Sequence, residues 1–247
     1  MTTIDKTFTL YKIRGVSGMA RVGDWREARR RSARADIVEA AWSVVREMGL
    51  AGLSMRDLAA RAGITTPTLY AYFDSKNEIY DAMFAEAAAQ FQAHMAPAYS
   101  SEASDEVLGA AMGRFVEFCT DDVARYQLLF QRTIPGFEPS AESYAHAVAA
   151  LDAARRRLTE LGVVSQGWQL DLLTALMTGL VDQQISNDPG GQRWVGLIDD
   201  AVAMFIAHCR IEPASDNPAR SEVRTRTAGS KHGRPSNRPV SSPTRRN

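Results

Sequence analysis

The 247-residue sequence predicts an all-α protein with a small helical head and a larger helical body. Three observations carry this. Apolar residues recur at spacings of three and four along most of the chain, the mark of helices with one buried face. No segment alternates apolar and polar residues between hairpin signals, so no strand is expected. Glycine and proline cluster between the periodic segments, as at "TIPGFEPS" and "NDPGGQ".

The first clear helix carries Ile37, Ala40, Ala41, Val44, Val45 and Met48 and ends near Gly49. Ser54 caps a short second helix, with Asp57 as a shortened capping-box acid and Gly63 as the helix-terminating glycine. A third helix is expected from about 66 to 72. A longer one capped by Ser75 follows, with Ile79, Met83, Phe84 and Phe91 among its apolar positions. Beyond a Pro/Ser-rich joint at 96–104, further helices are expected around 105–119, 122–131, 140–161, 166–186 and 192–211. The organisation expected is a flexible basic arm (1–30), a head (31–83), a body (84–212) and a disordered tail (213–247). The tail holds five of the ten prolines and almost nothing apolar, so burial cannot offset its ordering entropy. Met19 offers an alternative start.

Formal net charge is zero, yet unevenly spread: +6 over residues 1–34, +6 over 213–247 and −12 between them. Basic ends on an acidic body point the ends toward a polyanion. The longest apolar runs are too short to span a bilayer, and the N-terminus lacks a secretion signal pattern. Cys119 and Cys209 are expected as small buried residues in a reducing, cytoplasmic setting.

A helix at 54–61, a tight turn through Gly63 and Ile64, and a helix from 66 make a helix-turn-helix. Leu58, Ile64, Leu69 and Phe73 supply its core, leaving Thr66, Thr68, Tyr70 and Tyr72 outside. Hydroxyls and phenols bond phosphate oxygens, and a threonine methyl fits a thymine methyl. Pro67 leaves two registers open: Thr66 as cap with Pro67 first, or Thr65 as cap bonding the amide of Thr68. Either way the helix start favours an anion. The Arg-rich run "REARRRSAR" (26–34) precedes this unit.

With the preceding helix, "LSMRDLAARAGITTPTLYAYFDSKNEIY" resembles the DNA-binding head of the tetracycline-repressor (TetR) family over about residues 35–83. The resemblance implies that Ser54, Thr68, Tyr70, Tyr72 and Lys76 contact phosphates, and that Thr65, Thr66, Pro67 and Ala71 touch or face base edges. Pro67 and Ala71 have no hydrogen-bonding side chain. "YQLLFQRTIPGFEPS" and "NDPGGQRW" resemble the ligand-binding half of members of that family.

The helices at 166–186 and 192–211 are apolar on nearly every side, so one face serves the protomer and the other requires a partner. Leu173, Leu176, Leu180, Ile198, Val202 and Phe205 are the expected dimer residues, and the resemblance implies a four-helix interface there. Met112, Phe115, Phe118, Tyr126, Leu129 and Phe130 line two successive helices. The resemblance makes them candidates for bordering a small, mostly apolar ligand, with Tyr144 and His146 as polar contacts. The four histidines are isolated, no metal-ligand spacing appears, and no phosphate loop or nucleophile elbow is present. No metal, cofactor or catalytic residue is therefore expected. The expectation is a homodimeric regulator, a repressor that binds double-stranded operator DNA and is released by a small-molecule effector. The contrasting readings are an architectural DNA-binder needing no ligand and, least supported, a helical enzyme.

Overall fold

The computed structural model describes residues 22–100, 105–163 and 167–211. Nine α-helices occupy these residues: α1 (Val22–Met48), α2 (Met55–Arg61), α3 (Thr66–Tyr70), α4 (Lys76–Ser100), α5 (Asp105–Asp121), α6 (Val123–Phe130), α7 (Ala141–Glu160), α8 (Gly167–Asn187) and α9 (Ile198–Ile211). A 3₁₀ turn at Leu50–Gly52 joins α1 to α2, and a second at Val195–Leu197 leads into α9. No strand occurs among the described residues.

Helix boundaries follow local chemistry. Gly49 stops α1 with a φ of 76° that a side chain would oppose. α2 opens on Ser54, whose Oγ accepts from the Asp57 amide at 3.1 Å while its hydroxyl donates to the Asp57 carboxylate at 2.5 Å. The acid thus closes the cap through the hydroxyl.

Four expectations change. Residues 22–30, assigned to a flexible arm, are the first turns of α1; the rest of that arm, the tail at 213–247 and the candidate start at Met19 lie outside the described residues. α4 runs through Pro97 into the expected joint, its last turns anchored by the buried Met95 and Ala98; positions 101–104 are outside the description. α3 stops at Tyr70, two residues short of the expected end. α9 begins at Ile198 rather than near 192. The buried Gln184 side chain accepts from the amides of Trp194 and Val195 at 2.9 and 3.1 Å and donates to the Asp188 carbonyl, fixing "DPGG" as a tight corner. The amide of Arg193 on the Asp188 carboxylate holds that acid below its ordinary pKa.

Two cores form. The body core gathers Leu108, Val116, Leu173, Met177, Val181, Ile198, Val202 and Phe205. The head core gathers Ile37, Trp42, Val45, Leu58, Leu69 and Phe73, but it does not stop at residue 83. Phe84, Ala87 and Ala88 of α4 and Ala124 and Leu128 of α6 belong to it. α4 therefore enters both cores, with Ile79, Tyr80 and Met83 in the head and Met95 and Ala98 in the body. Asp122, whose side chain is only 8% exposed, caps α6 through the Arg125 amide. Its Oδ2 also accepts from Nε and Nη2 of Arg46 on α1 at 3.0 and 2.7 Å. The loop after α6 closes the joint. Ile134 and Phe137 pack on the head core, and Asp81 accepts from the Ser140 amide at 2.6 Å and from the Ser143 hydroxyl at 2.7 Å.

Candidate nucleic-acid interface and ligand cavity

The head presents a short exposed helix on a fixed turn. Gly63, with φ +67°, follows α2; its amide bonds the Ala60 carbonyl and the Ile64 amide bonds that of Ala59. This paired closure reverses the chain without an unsatisfied carbonyl. Of the two registers open in the sequence, the structure adopts the second: Thr65 is the cap, and its Oγ1 accepts from the Thr68 amide at 3.3 Å. The Thr65 and Thr68 hydroxyls also share a hydrogen bond of 2.8 Å. Leu58, Leu69 and Phe73 are fully buried beneath, as the spacing predicts.

None of the expected contact residues is fully buried. Thr65, Pro67, Thr68, Tyr70 and Ala71 are exposed, Tyr70 at 47%. Ser54, Thr66, Tyr72 and Lys76 are half-buried, Tyr72 against the head core. The Lys76 ammonium lies 5.4 Å from the Tyr80 ring centroid. Ser75 caps α4 by accepting the Glu78 amide, and Glu78 accepts the Asp74 amide at 2.7 Å.

Arg30 and Arg34 have a role that charge counting missed. Arg34 donates to the Tyr72 carbonyl and, at 2.9 Å, to Glu78; its guanidinium lies 4.0 Å from the Phe73 ring centroid. Arg30 donates to the Ala71 carbonyl at 3.4 Å. Two members of the basic run thus hold the end of α3 in place. Their partners lie about forty residues away, so only the guanidinium's capacity to bond several acceptors hinted at this.

In the body, α4 to α8 enclose an apolar cavity of about 250 Å³. Met112, Phe115, Phe130 and Tyr144 line it, as expected, while Phe118, Tyr126 and His146 do not. Tyr126 is turned toward α8, donating to Asp182 at 2.7 Å, and burial pushes its phenol pKa upward. Phe118 packs edge-on against Phe91 and beneath Arg125. His146 is exposed, 3.3 Å from Gln92. Among the wall residues missed are Phe91, Tyr99 and Arg157. The readable signal was the Ala147, Ala150, Ala154 series on α7, small residues at helical spacing that leave volume beside them. A shallower recess of about 360 Å³ shares Leu129, Phe130 and Tyr144 with the cavity.

The expected dimer residues divide in two. Leu173, Ile198, Val202 and Phe205 face the protomer's own core, which uses up their apolar surface. Leu176 and Leu180, like Leu172, are half-buried and pack at the edge of the same core. Leu197 of the preceding 3₁₀ turn and Met204 of α9 are exposed at 40% and 60%.

Residues 37–83, containing the capped turn and α3, match the family model for bacterial regulatory proteins of the tetR family. The head of this chain is a tetR-family domain. The tetracycline repressor protein class A from transposon 1721 of Escherichia coli is 28% identical to it over 183 residues, 71% of this chain and 78% of that protein. The TetR family transcriptional regulator PfmR from Thermus thermophilus shares the fold, with a TM-score of 0.54 at 20% identity over 69% of this chain and 97% of that one. So does the transcriptional regulator FadR from Bacillus subtilis, solved in complex with stearoyl-CoA, with a TM-score of 0.53 at 18% identity over 70% and 97% of the two chains. The tetR-family head supports a DNA-binding transcriptional regulator. No described helix is long and apolar enough to cross a membrane.

Proposed function

We propose that the protein is a homodimeric repressor that an apolar effector releases from its operator. The observation that carries this is α4, whose first turns lie in the head core and whose later residues, Phe91, Met95 and Tyr99, wall the cavity. A molecule filling the cavity pushes on the same helix that supports the turn before α3. Exposed Thr65, Thr68 and Tyr70, with Lys76, meet phosphates and base edges. The half-exposed edges of α8 and the exposed Met204 of α9 pair two protomers, because burying the remaining apolar surface of Leu172, Leu176, Leu180 and Met204 is favourable. Two α3 helices then occupy successive major grooves about 34–36 Å apart, and effector binding changes that spacing. The FadR neighbour, solved with stearoyl-CoA, supports an apolar ligand.

The test begins with DNA fragments recovered from the genome by the purified protein. Effector candidates are titrated with and without such a fragment. Because coupling is reciprocal, DNA must weaken the effector by the same factor as the effector weakens DNA, typically about 5–150-fold. Equal effector affinity in both titrations refutes release, and tighter binding on DNA makes the effector a co-repressor.

A further inference from the structure

We propose that the cavity accepts an elongated apolar monoanion, with its carboxylate held at Arg157. This rests on the ligand-responsive reading and narrows it to a class of molecule.

The cavity's walls are almost wholly alkyl and aromatic, and among the described residues no Asp or Glu lines them. Arg157 is the exception in charge. Its side chain is 10% exposed, and its Nη1 lies 3.2 Å from Glu160, a side chain 60% exposed that does not line the cavity. A guanidinium has no acceptor and cannot shed its proton, so its charge persists in this apolar wall. An anion entering gains attraction in a low-dielectric space; a cation meets repulsion, and a neutral head gains neither.

Shape sets the rest. Tyr144 and Arg157 both line the cavity from α7, and their separation along the helix is about 20 Å at 1.5 Å per residue. The lining thus extends along α7 from Tyr144, where the second recess adjoins, to the cation at Arg157 and the leucines just beyond it. Such a volume suits an alkyl chain rather than a compact ring system. Tyr99 also lines the wall, and burial raises its phenol to about 12, so it is a donor without charge. Guanidinium and phenol are both donors, and a carboxylate accepts at both of its oxygens.

The experiment is calorimetric titration of the full chain at neutral pH with dodecanoate, dodecanol and dodecyltrimethylammonium, each below its aggregation concentration. Dodecanoate is expected to bind roughly tenfold to hundredfold more tightly than dodecanol, the range of a charge-assisted contact, and the ammonium most weakly. Arg157→Met should remove the acid's advantage while dodecanol affinity stays within about twofold, which also shows that the cavity is intact. Arg157→Lys should keep much of the preference. Equal affinity for acid and alcohol, a preference that survives Arg157→Met, or no binding of any of the three overturns the assignment. An acid preference without loss of affinity for a genome-recovered DNA fragment leaves the assignment standing and refutes the release mechanism instead.

Discussion

The contact between Asp122 and Arg46 supports a quantitative prediction about how head and body are held. Asp122 caps α6 with one carboxylate oxygen and accepts two Arg46 hydrogens with the other, while its side chain is 8% exposed. Asp122→Ala removes both. The cap is worth about 1 kcal/mol and the charge-assisted contact about 1.5–3. Arg46 is 48% exposed and recovers part of its loss from water, which places the expected destabilisation at about 2–3 kcal/mol. Asp122→Asn keeps an oxygen for the Arg125 amide and should cost about 1–2 kcal/mol. Arg46→Ala strands a buried carboxylate with only Arg125 nearby, its amide at 3.1 Å and Nη2 at 3.5 Å, and should cost about 1.5–3 kcal/mol. Urea unfolding of both single variants and the double variant, at one protein concentration, gives the coupling energy. About 1–2 kcal/mol is expected. A coupling within about 0.5 kcal/mol of zero would show that the pair contributes only crowding at this joint and refute the reasoning.

Thr65→Ala should lower stability by about 1 kcal/mol in thermal melts, and Thr66→Ala by clearly less, because Thr65 holds the cap. Tyr70→Phe and Lys76→Ala should weaken binding to all DNA sequences alike. Loss of Lys76 should also reduce the slope of log affinity against log salt by about one per protomer; an unchanged slope with altered sequence preference refutes the phosphate role. Leu176→Arg should give monomers in sedimentation, whereas Val202→Ala, inside the protomer core, should lower stability and leave association intact. Burial raises the Tyr80 phenol to about 12 from its ordinary 10. In the window between those values the unfolded chain has already released that proton, so stability should fall as pH rises from 10 to 12. Tyr80→Phe should flatten this fall in denaturant titrations at alkaline pH.

Features set by neighbours in the chain were legible in the sequence. The caps at Ser54 and Ser75 and the turn at Gly63 each depend on residues within five positions, and all three appear where local chemistry puts them. The choice between Thr65 and Thr66 was not legible, because Pro67 permits both registers and packing of Leu69 decides. The same distance effect hid Arg34, whose partners Tyr72 and Glu78 lie far along the chain. For the cavity, periodicity identified which residues were apolar but not which side of α6 faced inward. Tyr126 and Phe130, one turn apart, share a helix yet only Phe130 borders the space. In α8 the all-round apolarity did not show which leucines the protomer's own core buries fully and which it leaves half-exposed.

The passage of α6 into the head core has a genetic consequence. Ala124 and Leu128 are far along the chain from α3, yet they shield the same apolar interior as Leu58 and Phe73. A fragment ending at residue 83 would carry every proposed DNA contact but leave part of that interior open to water. It would gain no independence from the remainder of the polypeptide, and the DNA-reading unit is not a portable cassette in this protein. Screens for loss of DNA binding should accordingly return substitutions at Ala124 and Leu128 alongside those on α3. Suppressors of such alleles should arise in α1 and α4, where the complementary surface lies.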